Sequence, residues 1–71
     1  MFDFATALNQ FNGKSFKFND LQDILRQIRR QHLGEISPEM GIRELLIIAK
    51  QHNWIYEDDA GDFHIKINRA A

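Results

Sequence analysis

A small α+β fold, ordered helix, strand, helix, helix, β-hairpin, is predicted by three observations in the chain. Ser37-Pro38-Glu39 opens an amphipathic helix that runs to Gln51, with an N-cap serine and a proline at the first helical position. Two alternating runs, Trp54-Ile55-Tyr56-Glu57 and Asp62-Phe63-His64-Ile65-Lys66-Ile67, flank a glycine-containing turn. Ahead of them, two stretches with apolar residues at helical spacing enclose a short polar–apolar alternation.

Each element has its own justification. Asp3 is the expected N-cap of the first helix, with Phe2 placed as a hydrophobic staple onto Ala7. Phe4, Leu8 and Phe11 share its inward face, and Asn12-Gly13 ends it, Gly13 supplying a left-handed C-cap. Lys14-Ser15-Phe16-Lys17-Phe18 alternates, so an edge strand is expected with Phe16 and Phe18 facing in. Asn19 then caps the second helix, with Gln22 at the capping-box position. Leu21, Ile24, Leu25 and Ile28 form its buried stripe, while Arg26, Arg29 and Arg30 sit on the solvent side with Asp23. Gly34 closes that helix, and Leu33-Gly34-Glu35-Ile36 turns into the third.

On the third helix Ile42, Leu45, Leu46 and Ala49 face the core, and Asn53 is a left-handed stop. Asp58 to Asp62 fits a three-residue hairpin loop with Gly61 at the position that needs positive φ. Pairing Asp58 with Asp62 sets Ile55 opposite Ile65 and Tyr56 opposite His64. Ile55, Phe63, Ile65 and Ile67 then pack on the helices, and Trp54, Tyr56, His64 and Lys66 line the outer face. The tail Asn68-Arg69-Ala70-Ala71 is expected to fray.

At 71 residues the chain is expected to be a single domain, residues 1–71, and its 44% hydrophobic content suffices for one core without staples. The absence of cysteine excludes disulfides and thiolate metal sites and suits a reducing, cytoplasmic setting. Met1-Phe2-Asp3-Phe4 lacks the basic and apolar regions of a signal peptide, and Leu45-Leu46-Ile47-Ile48-Ala49 is too short to span a bilayer. His32, His52 and His64 have no metal-ligand spacing, and Ser15 and Ser37 have no nucleophile motif around them. The run Asp58-Asp59-Ala60-Gly61-Asp62 lacks the later glutamate of a calcium loop. No enzyme, cofactor, metal or small-molecule substrate is expected.

The element order, together with Gly-Ile-Arg-Glu-Leu-Leu-Ile-Ile-Ala-Lys-Gln-His-Asn-Trp-Ile from Gly41 to Ile55, resembles the winged helix-turn-helix superfamily over Asp3 to Ile67. The resemblance implies a third helix that enters the DNA major groove and a hairpin wing that touches the phosphate backbone. It also admits a second role, since many members serve only as protein-interaction modules.

The surfaces give each reading its residues. Arg43, Lys50 and Gln51 on the outer face of the third helix suit guanine, phosphate and adenine, and Arg26, Arg29 and Arg30 on the second helix suit phosphates. On this reading the partner is double-stranded DNA and the domain a transcriptional regulator. Against it stand the net charge of -1 and the acids Glu57, Asp58, Asp59 and Asp62 at the wing, which repel phosphate. Turn chemistry accounts for one or two of these acids. The alternative is a protein partner or self-association through exposed Met40, Glu44 and Ile47 with Asp58, Asp59 and Asp62. Plainer readings remain beside both: a solvated face for the arginines, a lone exposed side chain for Ile47, and cross-strand pairing for Trp54, Tyr56, His64 and Lys66.

Overall fold

The computed structural model describes residues 2–67, so the tail expected to fray lies outside the described residues. Its elements are α1 (Phe4–Asn9), β1 (Ser15–Phe16), α2 (Phe18–Gln31), α3 (Ile42–Gln51), β2 (Ile55–Glu57) and β3 (Phe63–Ile65). The strands form an antiparallel sheet in the order β1-β3-β2. The predicted hairpin register holds, with Ile55 opposite Ile65 and Tyr56 opposite His64, and β1 adds Ser15 opposite His64 and Phe16 opposite Phe63. The result is a small α+β fold of three helices and a short three-stranded sheet.

One core joins the layers. Leu8 of α1, Leu21, Leu25 and Ile28 of α2, Leu45 of α3, and Ile55 and Ile65 of the sheet are fully buried. No polar side chain is buried among the described residues, so hydrophobic burial carries the interior. No helix of the described residues is long and apolar enough to cross a membrane.

Local chemistry closes several elements as the sequence predicts. The carboxylate of Asp3 accepts from the backbone N–H of Thr6 at 3.1 Å and from its hydroxyl at 2.6 Å. Asn53 takes φ 60°, and the N–H groups of Asn53 and Trp54 donate to the carbonyls of Lys50 and Ala49, which is a Schellman ending for α3. Gly13 and Gly61 adopt φ of 82° and 84°. The Asn12-Gly13 corner also binds β3: the Gly13 N–H donates to the Ile65 carbonyl at 2.7 Å, and the Asn12 side chain accepts from the Ile67 N–H at 2.8 Å.

Several expectations are corrected. Phe18 does not end the strand facing inward; it opens α2, is 45% exposed, and tilts against Phe63 with ring centroids 5.6 Å apart. β3 offers partners only to Ser15 and Phe16, and the helix begins once the carbonyl of Lys17 accepts from the N–H of Leu21. Lys17, not Asn19, is therefore the N-cap residue.

The third helix starts at Ile42 after Gly41, not at Pro38 after Ser37. Ser37 to Met40 is a turn closed by the Met40 N–H on the Ser37 carbonyl. The Pro38 and Met40 carbonyls, which a longer helix would use for its own ladder, accept instead from Arg29 Nη2 at 3.2 Å and Nε at 2.9 Å. Met40 is accordingly half-buried against the core and not part of an exposed face. Trp54, expected on the outer face of the hairpin, packs edge-on against Phe4 at 5.9 Å and stacks on His52 at 4.4 Å. The ring of Phe2, expected on Ala7, lies against Phe4 and His32.

Candidate functional site

The outward face of α3 carries Arg43, Glu44, Ile47, Lys50 and Gln51, all exposed. Arg43, Ile47 and Lys50 follow one another at i, i+4 and i+7, a single row along the helix. Ile47 is 48% exposed at the middle of that row. Lys50 holds its ammonium 5.5 Å from the Phe63 ring centroid, which draws the cation toward β3. Glu44 turns back to accept from the Gly41 N–H at 3.3 Å, so its charge serves the start of the helix.

The three arginines of α2 separate in role. Arg29 is half-buried and bound to the linker carbonyls. Arg26 donates to Asp23 at 2.9 Å on the surface, and Arg30 stands exposed. All three, with Leu33, Gly41 and Ile42, line a cleft of roughly 400 Å³ between α2 and the start of α3. A neighbouring cleft of roughly 300 Å³ is lined by Phe18, Gln22, Leu25, Ile42, Arg43 and Leu46. Ile42 belongs to both, so the two clefts adjoin along the α2–α3 seam.

The hairpin acids are not alike. Asp58 Oδ1 accepts from the N–H groups of Ala60 and Asp62, both at 2.9 Å, which builds the loop. Its Oδ2 lies 2.7 Å from Nε2 of His64, and Nδ1 of the same ring lies 3.0 Å from the Ser15 hydroxyl. With Nε2 carrying the proton toward the carboxylate, Nδ1 can accept from Ser15. The His64 hydrogen bond, followed by the Asp62 N–H, holds the Asp58 carboxyl below its ordinary range. Asp62 pairs with Lys17, whose ammonium is raised above its ordinary value by that hydrogen bond. Glu57 and Asp59 project into solvent. Tyr56, half exposed, stacks on His64 at 4.8 Å.

Of the residues singled out from the sequence, the structure brings Arg43, Lys50 and Gln51 together with Ile47 on one helix face, and Arg26, Arg29 and Arg30 around one cleft. It separates Met40 from Ile47 by burial, and it engages Asp58 and Asp62 within the fold while leaving Asp59 outward. Sequence reasoning leaves Phe18, Gln22 and Leu33 unmarked as surface features. An apolar residue beyond the end of a helix, such as Leu33 at 58% exposure, is the one readable signal among them. No group of His, Asp and Glu side chains among the described residues is placed to hold a metal ion.

No protein-family model, curated protein or solved structure matches the chain.

Proposed function

We propose that the chain is a winged-helix domain that binds duplex DNA as a regulator, reading the major groove with α3. The observation that carries this reading is the uncovered row of Arg43, Lys50 and Gln51, flanked across the seam by the exposed Arg26 and Arg30. Arg and Gln side chains on one helix face are the donors that bidentate base readout requires, and the flanking cations suit phosphate. The β1-β3-β2 order is compatible with a winged-helix arrangement, in which the β2–β3 hairpin would serve as the wing. The electrostatic objection to that wing is smaller than four acids imply, because Lys17 offsets Asp62, and the Asp58 carboxylate is turned into its own loop and toward His64.

Fluorescence anisotropy with a labelled random duplex tests the reading. Binding should weaken steeply with salt, and Lys50→Ala should reduce the log–log salt slope by about one, for the phosphate no longer neutralised. Arg43→Ala should cost about 1–3 kcal/mol at a preferred site and relax its base preference. An absence of salt-sensitive binding at low ionic strength ends the proposal.

A second reading, an interaction module, is favoured by one observation: Ile47 lies exposed at the centre of the same row. Its surface is Ile47 with Glu44 and Asp59, since Met40 packs inward. Ile47→Asp separates the two. It should abolish partner binding or self-association with the melting temperature held, whereas a large loss of stability would make Ile47 part of the core.

A further inference from the structure

The two adjoining clefts have a shared construction. On α2 their lining residues are Phe18, Gln22, Leu25, Arg26, Arg29 and Arg30, spaced so that one helical stripe faces the seam. Gly41, Ile42, Arg43 and Leu46 of the α3 start supply the opposite wall. From Phe18 to Arg30 the stripe runs about 18 Å at 1.5 Å per residue.

The groove is graded along this length. Phe18, Leu25 and Leu46, with Gln22 and one cation, Arg43, make one end mainly apolar. Arg26, Arg29 and Arg30 line the other with Leu33, and Ile42 lies between the two. Two of the largest exposed apolar side chains, Phe18 and Leu33, stand at its two ends. Asp23 pairs with Arg26 at 2.9 Å and offsets its charge. Arg29 is bound only to backbone carbonyls and Glu44 is turned to the Gly41 N–H, so the groove keeps the charge of Arg29 and Arg30.

We propose that this groove is the docking site of a partner's amphipathic helix, apolar at one end and rich in Asp and Glu at the other. Charge complementarity selects this occupant. A helix laid along the seam puts its apolar side chains between Phe18 and Leu46 and its carboxylates against Arg29 and Arg30. Arg29 takes part as a fixed cation, because two backbone carbonyls already orient its guanidinium. The inference goes beyond DNA binding and stands whether or not α3 reads a duplex. Arg43 borders both surfaces, so an acidic helix seated here competes with any duplex on α3.

The test is an amide chemical-shift titration of the whole chain with a capped helical peptide of about 14 residues. Its first half carries Leu on one face and its second half carries Glu; a matched peptide replaces each Glu by Lys. The Glu peptide should shift Phe18, Gln22, Leu25, Arg26, Arg30 and Ile42 and bind at least about tenfold tighter than the Lys peptide. Arg30→Glu should weaken it about tenfold, Leu33→Asp should weaken it with unchanged thermal unfolding, and Lys66→Glu, outside the groove, should leave it unaltered. Equal binding of the two peptides, no shifts, or shifts confined to the hairpin would each overturn the proposal. So would groove shifts that depend on protein concentration alone, which assign the groove to a second copy, or groove shifts that only duplex DNA produces.

Discussion

His64 shows how much one residue can connect. Its ring joins the Asp58 carboxylate in the loop to the Ser15 hydroxyl on β1, and Tyr56 covers one ring face. The Asp58 carboxyl is lowered from its ordinary value of 3.8, first by His64, so its contribution to stability has a definite pH window. A group that loses its proton more readily when folded stabilises fully above its unfolded pKa and ceases to do so as pH falls through the folded one. Stability should therefore be insensitive to Asp58 down to about pH 4 and fall below it. In Asp58→Asn the amide oxygen can still accept from Ala60 and Asp62, but the acid limb should be shallower. Urea midpoints measured from pH 6 to pH 2.5 decide this, parallel curves refuting the coupling. Lys17 has the opposite sign: raised by Asp62, its contribution is complete below 10.5 and is lost as pH climbs through the higher folded value.

At the scale of elements, what is legible in the sequence is what local chemistry decides. Asn53 and Gly61 announce their positive φ because few other residues tolerate it, and alternation in the hairpin sets its register through Ile55 and Ile65. The start of α3 is not legible for the opposite reason. Ser37-Pro38 is a strong start signal, yet Arg29, nine and eleven residues away, takes up the Pro38 and Met40 carbonyls, and Gly41 becomes the cap instead. Alternation misplaces Phe18 because the pattern outlasts the two residues that β3 pairs. The same holds for the candidate site: the α3 row is readable from helical spacing, but the α2–α3 groove and the Ser15–His64–Asp58 chain depend on juxtapositions that no local pattern encodes. Arg29→Met tests the clamp on the linker. It keeps the aliphatic stem and frees two carbonyls, so it should cost about 1–3 kcal/mol, whereas Arg30→Met should stay within about 0.5 kcal/mol. Equal, small losses measured by urea unfolding would show that the linker does not need the clamp.

For the whole molecule, charge placement outweighs charge total. A net charge of -1 argues against a nucleic-acid partner only if acids and bases are mixed evenly, and they are not. Arg30, Arg43 and Lys50 are exposed along α2 and α3, with Arg26 paired to Asp23, while Asp58 is hydrogen-bonded to His64 and Asp62 is paired with Lys17. The surfaces open to an anionic partner therefore belong to the helices, and Glu57 and Asp59 keep the hairpin's own side acidic.

The sheet order β1-β3-β2 has a consequence for how the chain acquires its shape. The central strand is the last of the three to be synthesised, so both β1 and β2 wait for residues 63–65 before either can be paired. The bond from Ile67 to Asn12 spans 55 residues and closes just afterwards. Helices α2 and α3 can meet early, but the sheet forms only once β3 has emerged, which leaves the growing chain a helical pair with two unsatisfied strand segments. Pairing β1 with β3 is thus a contact of high sequence separation, the kind whose loop-closure cost slows folding.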